Sequence, residues 1–84
     1  MQSQEIKEKI INSMSLVFEM SDKEINDESS TDNIGCWDSL HQLNLVLALE
    51  EEFGISIPDE EIGNMVNYKI IFHVISEVLK NGRN

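Results

Sequence analysis

Apolar residues in three separate stretches of the chain recur at helical spacing, and this periodicity decides the fold class before any other feature does. Ile6, Ile10, Ile11, Met14, Val17 and Phe18 stand at offsets of three, four and seven, which places them on one stripe of an amphipathic helix. Leu40, Leu43, Val46, Leu47, Leu49 and Phe53 do the same, as do Ile71, Val74, Ile75, Val78 and Leu79. The β-branched residues of the third stretch would suit a strand, but spacing held over a dozen positions outweighs propensity. No convincing strand pattern, repeat or low-complexity tract accompanies them. The chain is therefore all-α.

Local signals set the ends. Helix one is expected from about Ser3 to Met20. Residues 21–37 lose periodicity and fill with Ser, Asp, Asn, Thr and Gly, although Ser21 and Glu24 have capping-box spacing for one short turn. So long a loop in a small domain needs fastening, and Ile25, Ile34 and Trp37 are the expected anchors. Asp38 is placed to cap helix two, which Gly54 ends as a C′ glycine. Pro58 followed by Asp59, Glu60 and Glu61 opens a short third helix leading to Ile62, Met65 and Val66. Asn67 caps the last helix, which is expected to fray at Asn81 and Gly82.

A chain of 84 residues has room for a single domain, residues 1–84, and none for a cleft between lobes. Leu, Ile, Val and Phe make up 26 of its residues, well above the roughly one-fifth below which disorder is expected. The formal charge of −10 repels nucleic acid phosphates and anionic membranes. Residues 19–61 hold 13 of the 16 acids and a single base, Lys23. Cys36 is alone and cannot form an intramolecular disulfide, and Met1 to Glu5 lacks a secretion pattern. The densest apolar run, Leu43 to Leu49, is broken by Asn44 and is far too short to span a bilayer. A cytoplasmic monomer without membrane insertion is expected.

The segment Trp37-Asp38-Ser39-Leu40 carries the chemistry. Ser39 falls at the first position of helix two, where backbone N–H groups lack intrahelical partners. A phosphodiester on its Oγ would meet those groups and the positive end of the helix dipole. Position alone also fits a plain helix-start serine, and the residues by themselves leave both readings open.

Ile34-Gly35-Cys36-Trp37-Asp38-Ser39-Leu40, followed by Leu45-Val46-Leu47-Ala48-Leu49-Glu50-Glu51-Glu52-Phe53-Gly54 and then Ile57-Pro58-Asp59-Glu60-Glu61, resembles the acyl carrier protein family over nearly the whole chain. The resemblance implies an acyl-carrier-like four-helix bundle with a long loop between helices one and two. It also implies a phosphopantetheinyl transferase that attaches 4′-phosphopantetheine from coenzyme A to Ser39, with Asp38 assisting near the transferase's magnesium ion. The chain would then be no enzyme and hold no metal of its own. It would carry acyl groups as thioesters for acyl-loading and acyl-transferring enzymes, as in fatty acid biosynthesis and other lipid metabolism.

On helix two, Leu45, Leu49 and Phe53 step by four toward the core, while Leu40, Leu43 and Leu47 lie on a second stripe nearer the serine. That stripe is the expected docking surface, with Glu50, Glu51, Asp59, Glu60 and Glu61 available to steer basic partners. Fatty-acid carriers usually have acids after the serine, where this chain has His41, Gln42 and Asn44. Trp37 before Asp-Ser-Leu is similar to specialised carriers of cell-surface or secondary-metabolite pathways and to aminoacyl or peptidyl carriers, which implies a dedicated pathway. Tyr68, Ile62 and Met65 could border an acyl cavity but are expected to serve as ordinary core.

Three other readings fail. Ser39, Asp38 and His41 lack the geometry of a hydrolytic triad. Cys36 with His41 or His73 matches no zinc or protease spacing, and packing is the expected role of the cysteine. Asp27 to Asp38 resembles a calcium loop with Asp32 in place of the required glycine. The competing class is an acidic helical domain that binds a protein through Leu40 and Leu47 without being modified.

Overall fold

A computed structural model describes residues 2–81; Gly82, expected in the fraying end of the last helix, lies outside them. The order is α1 (Ser3–Phe18), a 3₁₀ turn (Asp22–Glu24), α2 (Ser39–Phe53), α3 (Asp59–Ile62) and α4 (Tyr68–Lys80). Among the described residues there is no strand, only an isolated bridge between Ser30 and Asn67.

Helix α1 stops two residues short of Met20, because Glu19 turns into the left-handed region at φ 54°. The N–H groups of Glu19 and Met20 both return to the Ser15 carbonyl, and the Ser15 hydroxyl donates to the Met20 carbonyl. A side chain thus fills the role that glycine plays at most such ends. Ser21 and Glu24 form the expected capping box, with the Ser21 N–H 3.0 Å from Glu24 Oε1.

At the start of α2 the Asp38 carboxylate accepts the His41 backbone N–H at 2.9 Å, and at its end Gly54 turns left-handed at φ 65°. Asn67 Oδ1 accepts the Ile70 N–H at 2.8 Å and starts α4. Helix α3 is a single turn, shorter than the expected run to Val66. Gly63 and Asn64 are poor helix formers, and beyond them the Val66 carbonyl is taken by the Thr31 N–H at 3.0 Å.

The core is built from α1, α2, α4 and the segments that connect them. Ile10, Met14, Leu45, Leu49, Met65, Ile71 and Ile75 are fully buried, and Ile25, Ile34 and Trp37 of the long loop join them as anchors. Ile11, Val17 and Leu79, on the edges of their stripes, are half-buried. Tyr68 and Met65 are core residues, and burial, with the Asp27 charge adding to it, raises the pKa of the Tyr68 hydroxyl above its ordinary 10.0. The loop is also stitched by backbone bonds: the Tyr68 N–H donates to Ser29 C=O at 2.9 Å, and buried Ser29 accepts the Asn26 N–H at 3.0 Å through its hydroxyl. Cys36 does not pack as expected. It is exposed, its thiol 3.8 Å from the Phe18 carbonyl, because Trp37 beside it occupies the inward position.

Candidate functional site

Ser39 is the first residue of α2 and is exposed. Of the four leading N–H groups, that of His41 goes to the Asp38 side chain and that of Gln42 to the Asp38 carbonyl at 2.8 Å. Those of Ser39 and Leu40 have no partner among the described residues. An anion tethered to Ser39 Oγ therefore finds two open donors and the positive end of a helix running to Phe53.

The Asp38 carboxylate beside Ser39 is engaged in the helix cap. It receives the His41 backbone N–H and lies 2.8 Å from His41 Nδ1. The backbone bond first, and the ring second, hold its pKa below the ordinary 3.8. The His41 ring in turn stacks near Phe18, with centroids 6.0 Å apart. Asp38 and His41 thus form a capping pair, and His41 spends its nearer nitrogen on the cap.

Beside Ser39 lies an open cleft of about 330 Å³. It is lined by Thr31 and Trp37 of the loop, by Asp38, Ser39 and Gln42 at the start of α2, and by Ile62, Gly63 and Val66. Ile62, a candidate cavity residue, is half-buried and borders this cleft. An exposed primary hydroxyl, unpaired backbone donors and an adjoining groove that mixes polar and apolar walls suit a phosphate-linked arm.

Leu40, Leu43 and Leu47 are 64%, 55% and 63% exposed, whereas Leu45, Val46, Leu49 and Phe53 are buried. The two stripes of α2 separate as the spacing predicts. Glu51 is exposed on the same helix, but Glu50 is half-buried and its Oε2 accepts the Ile57 N–H at 2.8 Å, pinning the α2–α3 connection. Sequence reasoning had no signal for that bond, nor for the role of Gln42, whose amide oxygen accepts the Trp37 indole N–H while its NH₂ group reaches the α3 segment. Among the described residues no cluster of three or more His, Cys, Asp or Glu side chains is arranged to hold a metal, and no helix is long and apolar enough to cross a membrane.

Residues 8–66 match the family described as "Phosphopantetheine attachment site". The chain is 46% identical over 44 residues to an acyl carrier protein of Campylobacter hominis, covering 52% of this chain and 56% of that protein. It is 50% identical over 52 residues to one from Clostridium acetobutylicum, covering 54% and 66%. With an acyl carrier protein of Zymomonas mobilis it shares 39% identity over 56 residues, covering 67% and 70%. The chain thus spans less than two thirds of the length of the first two of these relatives.

Proposed function

Since this chain belongs to the acyl carrier protein family, we propose that it is a single-domain carrier that holds acyl groups on a 4′-phosphopantetheine arm attached to Ser39. The observation that carries the choice of residue is the exposed hydroxyl at the first position of α2, beside two open N–H donors and the cleft. Other serines of the matched segment suit the role less well. Ser13 and Ser29 are buried, the Ser15, Ser21 and Ser30 hydroxyls are engaged by nearby backbone groups, and Ser56 opens no helix.

When bound, the arm supplies a terminal thiol that carries the acyl group as a thioester. The residues of the chain present it. Ser39 anchors the phosphodiester, the N–H groups of Ser39 and Leu40 offset its charge, and Asp38 keeps the helix mouth in shape through His41. Leu40, Leu43 and Leu47 are the docking stripe for the phosphopantetheinyl transferase and the acyl-handling enzymes, with Glu51 free to steer basic partners. Glu50 serves the fold instead. The chain itself catalyses nothing, works as a monomer, and does so in a reducing cytoplasm, where the exposed thiol of Cys36 is tolerated. His41, Gln42 and Asn44 stand where a general fatty-acid carrier has acids, and this supports service to a dedicated lipid, cell-surface or secondary-metabolite pathway.

The test is direct. The protein is incubated with coenzyme A and a broad-specificity phosphopantetheinyl transferase, and its intact mass is measured. A gain of one phosphopantetheinyl group in the wild type, absent in Ser39→Ala at unchanged thermal stability, is expected. No gain with several transferases would leave the unmodified interaction domain as the better reading.

A further inference from the structure

Gln42 lies one turn after Ser39 on α2 and is half-buried. Its Oε1 accepts the Trp37 indole N–H at 2.5 Å, and its Nε2 donates to the carbonyls of Ile62 at 2.7 Å and Met65 at 3.2 Å. One amide thereby joins the loop to the end of α3 and the residues after it, both of which line the cleft. The Ile62 carbonyl closes α3 and also accepts the Met65 N–H at 3.3 Å, while the Met65 carbonyl lies three residues beyond that helix. The indole is rigidly backed, with its ring centroid 4.9 Å from that of Phe18 and only 8% of the residue exposed. Leu45, Met65 and Ile71 of the core are fully buried.

We infer that Trp37 and Gln42 form a latch that shuts the seam between α2 and the α3 segment, so that cargo on Ser39 rides in the open cleft outside the core and short or polar acyl groups are preferred over long alkyl ones. The inference rests on Ser39 being the attachment site. A long alkyl chain gains by leaving water only if it crosses the seam into the core. Crossing there strips the indole N–H and the Met65 carbonyl of the amide that satisfies them and leaves the Ile62 carbonyl with the Met65 N–H alone, and an alkyl chain offers no hydrogen bond in return. A short, hydroxylated or carboxylated group has little apolar surface to hide and keeps its polar atoms hydrated in the cleft beside Thr31. Gln42 is thus a specificity-determining residue that acts by position and takes no part in chemistry.

Trp37 is the chain's one tryptophan, so its fluorescence reads the latch directly. Gln42→Ala and the volume-preserving Gln42→Met are compared with wild type, with circular dichroism confirming the fold. In the unmodified proteins, acrylamide quenching of Trp37 is expected to rise at least about twofold in both variants as the indole loses its partner. Each protein is then loaded from acetyl- or octanoyl-coenzyme A by the transferase, and thioester cleavage by hydroxylamine is followed by intact mass. Wild type should lose both groups at equal rates, whereas the variants should protect the octanoyl group by about fivefold, the factor expected when one net hydrogen bond no longer opposes entry. Octanoyl protection already present in wild type, quenching unchanged by either substitution, or no added protection in either variant would overturn the latch. Absence of any mass gain would overturn attachment at Ser39 instead, with the quenching of the unmodified proteins still deciding whether the latch exists.

Discussion

Leu45 and Leu47 stand two residues apart on α2, yet one is wholly buried and the other 63% exposed, so the same truncation at the two sites should separate stability from function. Leu45→Ala removes three carbon groups worth about 0.8 kcal/mol each in transfer and leaves a cavity, for a loss of roughly 3 kcal/mol. Against a total of roughly 4–13 kcal/mol for a domain of this size that is a large fraction. With a urea slope of about 1 kcal/mol per molar, the midpoint should fall by about 3 M. For Leu47→Ala about a third of the transfer term is at stake, and the better helix propensity of Ala offsets part of it, leaving a loss of about 0.5 kcal/mol and a midpoint shift of about 0.5 M. The functional order is reversed. If Leu47 belongs to the docking stripe, its truncation should lower kcat/KM for phosphopantetheinyl transfer to this protein by about tenfold, the size of an ordinary interface contact. Urea unfolding followed by circular dichroism and transferase kinetics followed by intact mass give the two axes. A Leu47→Ala protein as unstable as Leu45→Ala, or as good a transferase substrate as wild type, would refute the division of α2 into a core face and a docking face.

Three further outcomes are expected. Gly54→Ala should cost about 1 kcal/mol, which for a domain this small is a melting-point drop of about 4–8 °C; an added Cβ there meets nothing within 4 Å, so the left-handed φ of 65° is the sole cause, and an unchanged melting point would contradict it. The Asp38 carboxyl has a folded pKa lowered from 3.8, so its stabilising contribution is present above that value and is lost as pH falls through the lowered one. The stability gap between wild type and Asp38→Asn should accordingly be constant near neutrality and close below about pH 3.8 in acid titrations; a gap that widens in acid would show the sign to be wrong. A malonyl transferase of general fatty-acid synthesis should load the phosphopantetheinylated chain much more slowly than a fatty-synthesis carrier, and equal rates would argue against a dedicated pathway.

The caps and stripes of this molecule are legible in its sequence because each is a local matter. Asp38, Asn67, the Ser21 and Glu24 pair and Gly54 act within one turn of themselves, and all take the expected places. The apolar anchors of the loop were legible for a different reason: Ile25, Ile34 and Trp37 are the large apolar residues of a polar stretch and have nowhere else to go. What could not be read was which polar side chains cross between segments. Gln42 stands out in sequence only as a residue that is not acidic, and its partners lie 20 and 23 residues downstream. Glu50 belongs to an acidic run that suggests a solvated face, yet it is tied to Ile57. Such bonds have no period, and side-chain amides and carboxylates carry no sign of whether they will meet water or a backbone. The shortness of α3 has this origin in part, since Gly63 and Asn64 weaken the helix and the stretch beyond them is tied to Gln42 and Thr31.

The pairing of Ser29 and Thr31 with Tyr68 and Val66 has a consequence for timing. Val66 is added by a ribosome 27 residues after Ser39, an interval of a few seconds at about 5–20 residues per second. Until the start of α4 arrives, the Ser29 carbonyl and the Thr31 N–H lack the partners they have in the finished fold. A polypeptide ending before Val66 would lack the bonds from Thr31 to Val66 and from Tyr68 to Ser29, so the cleft beside Ser39 is complete only once that segment has been made.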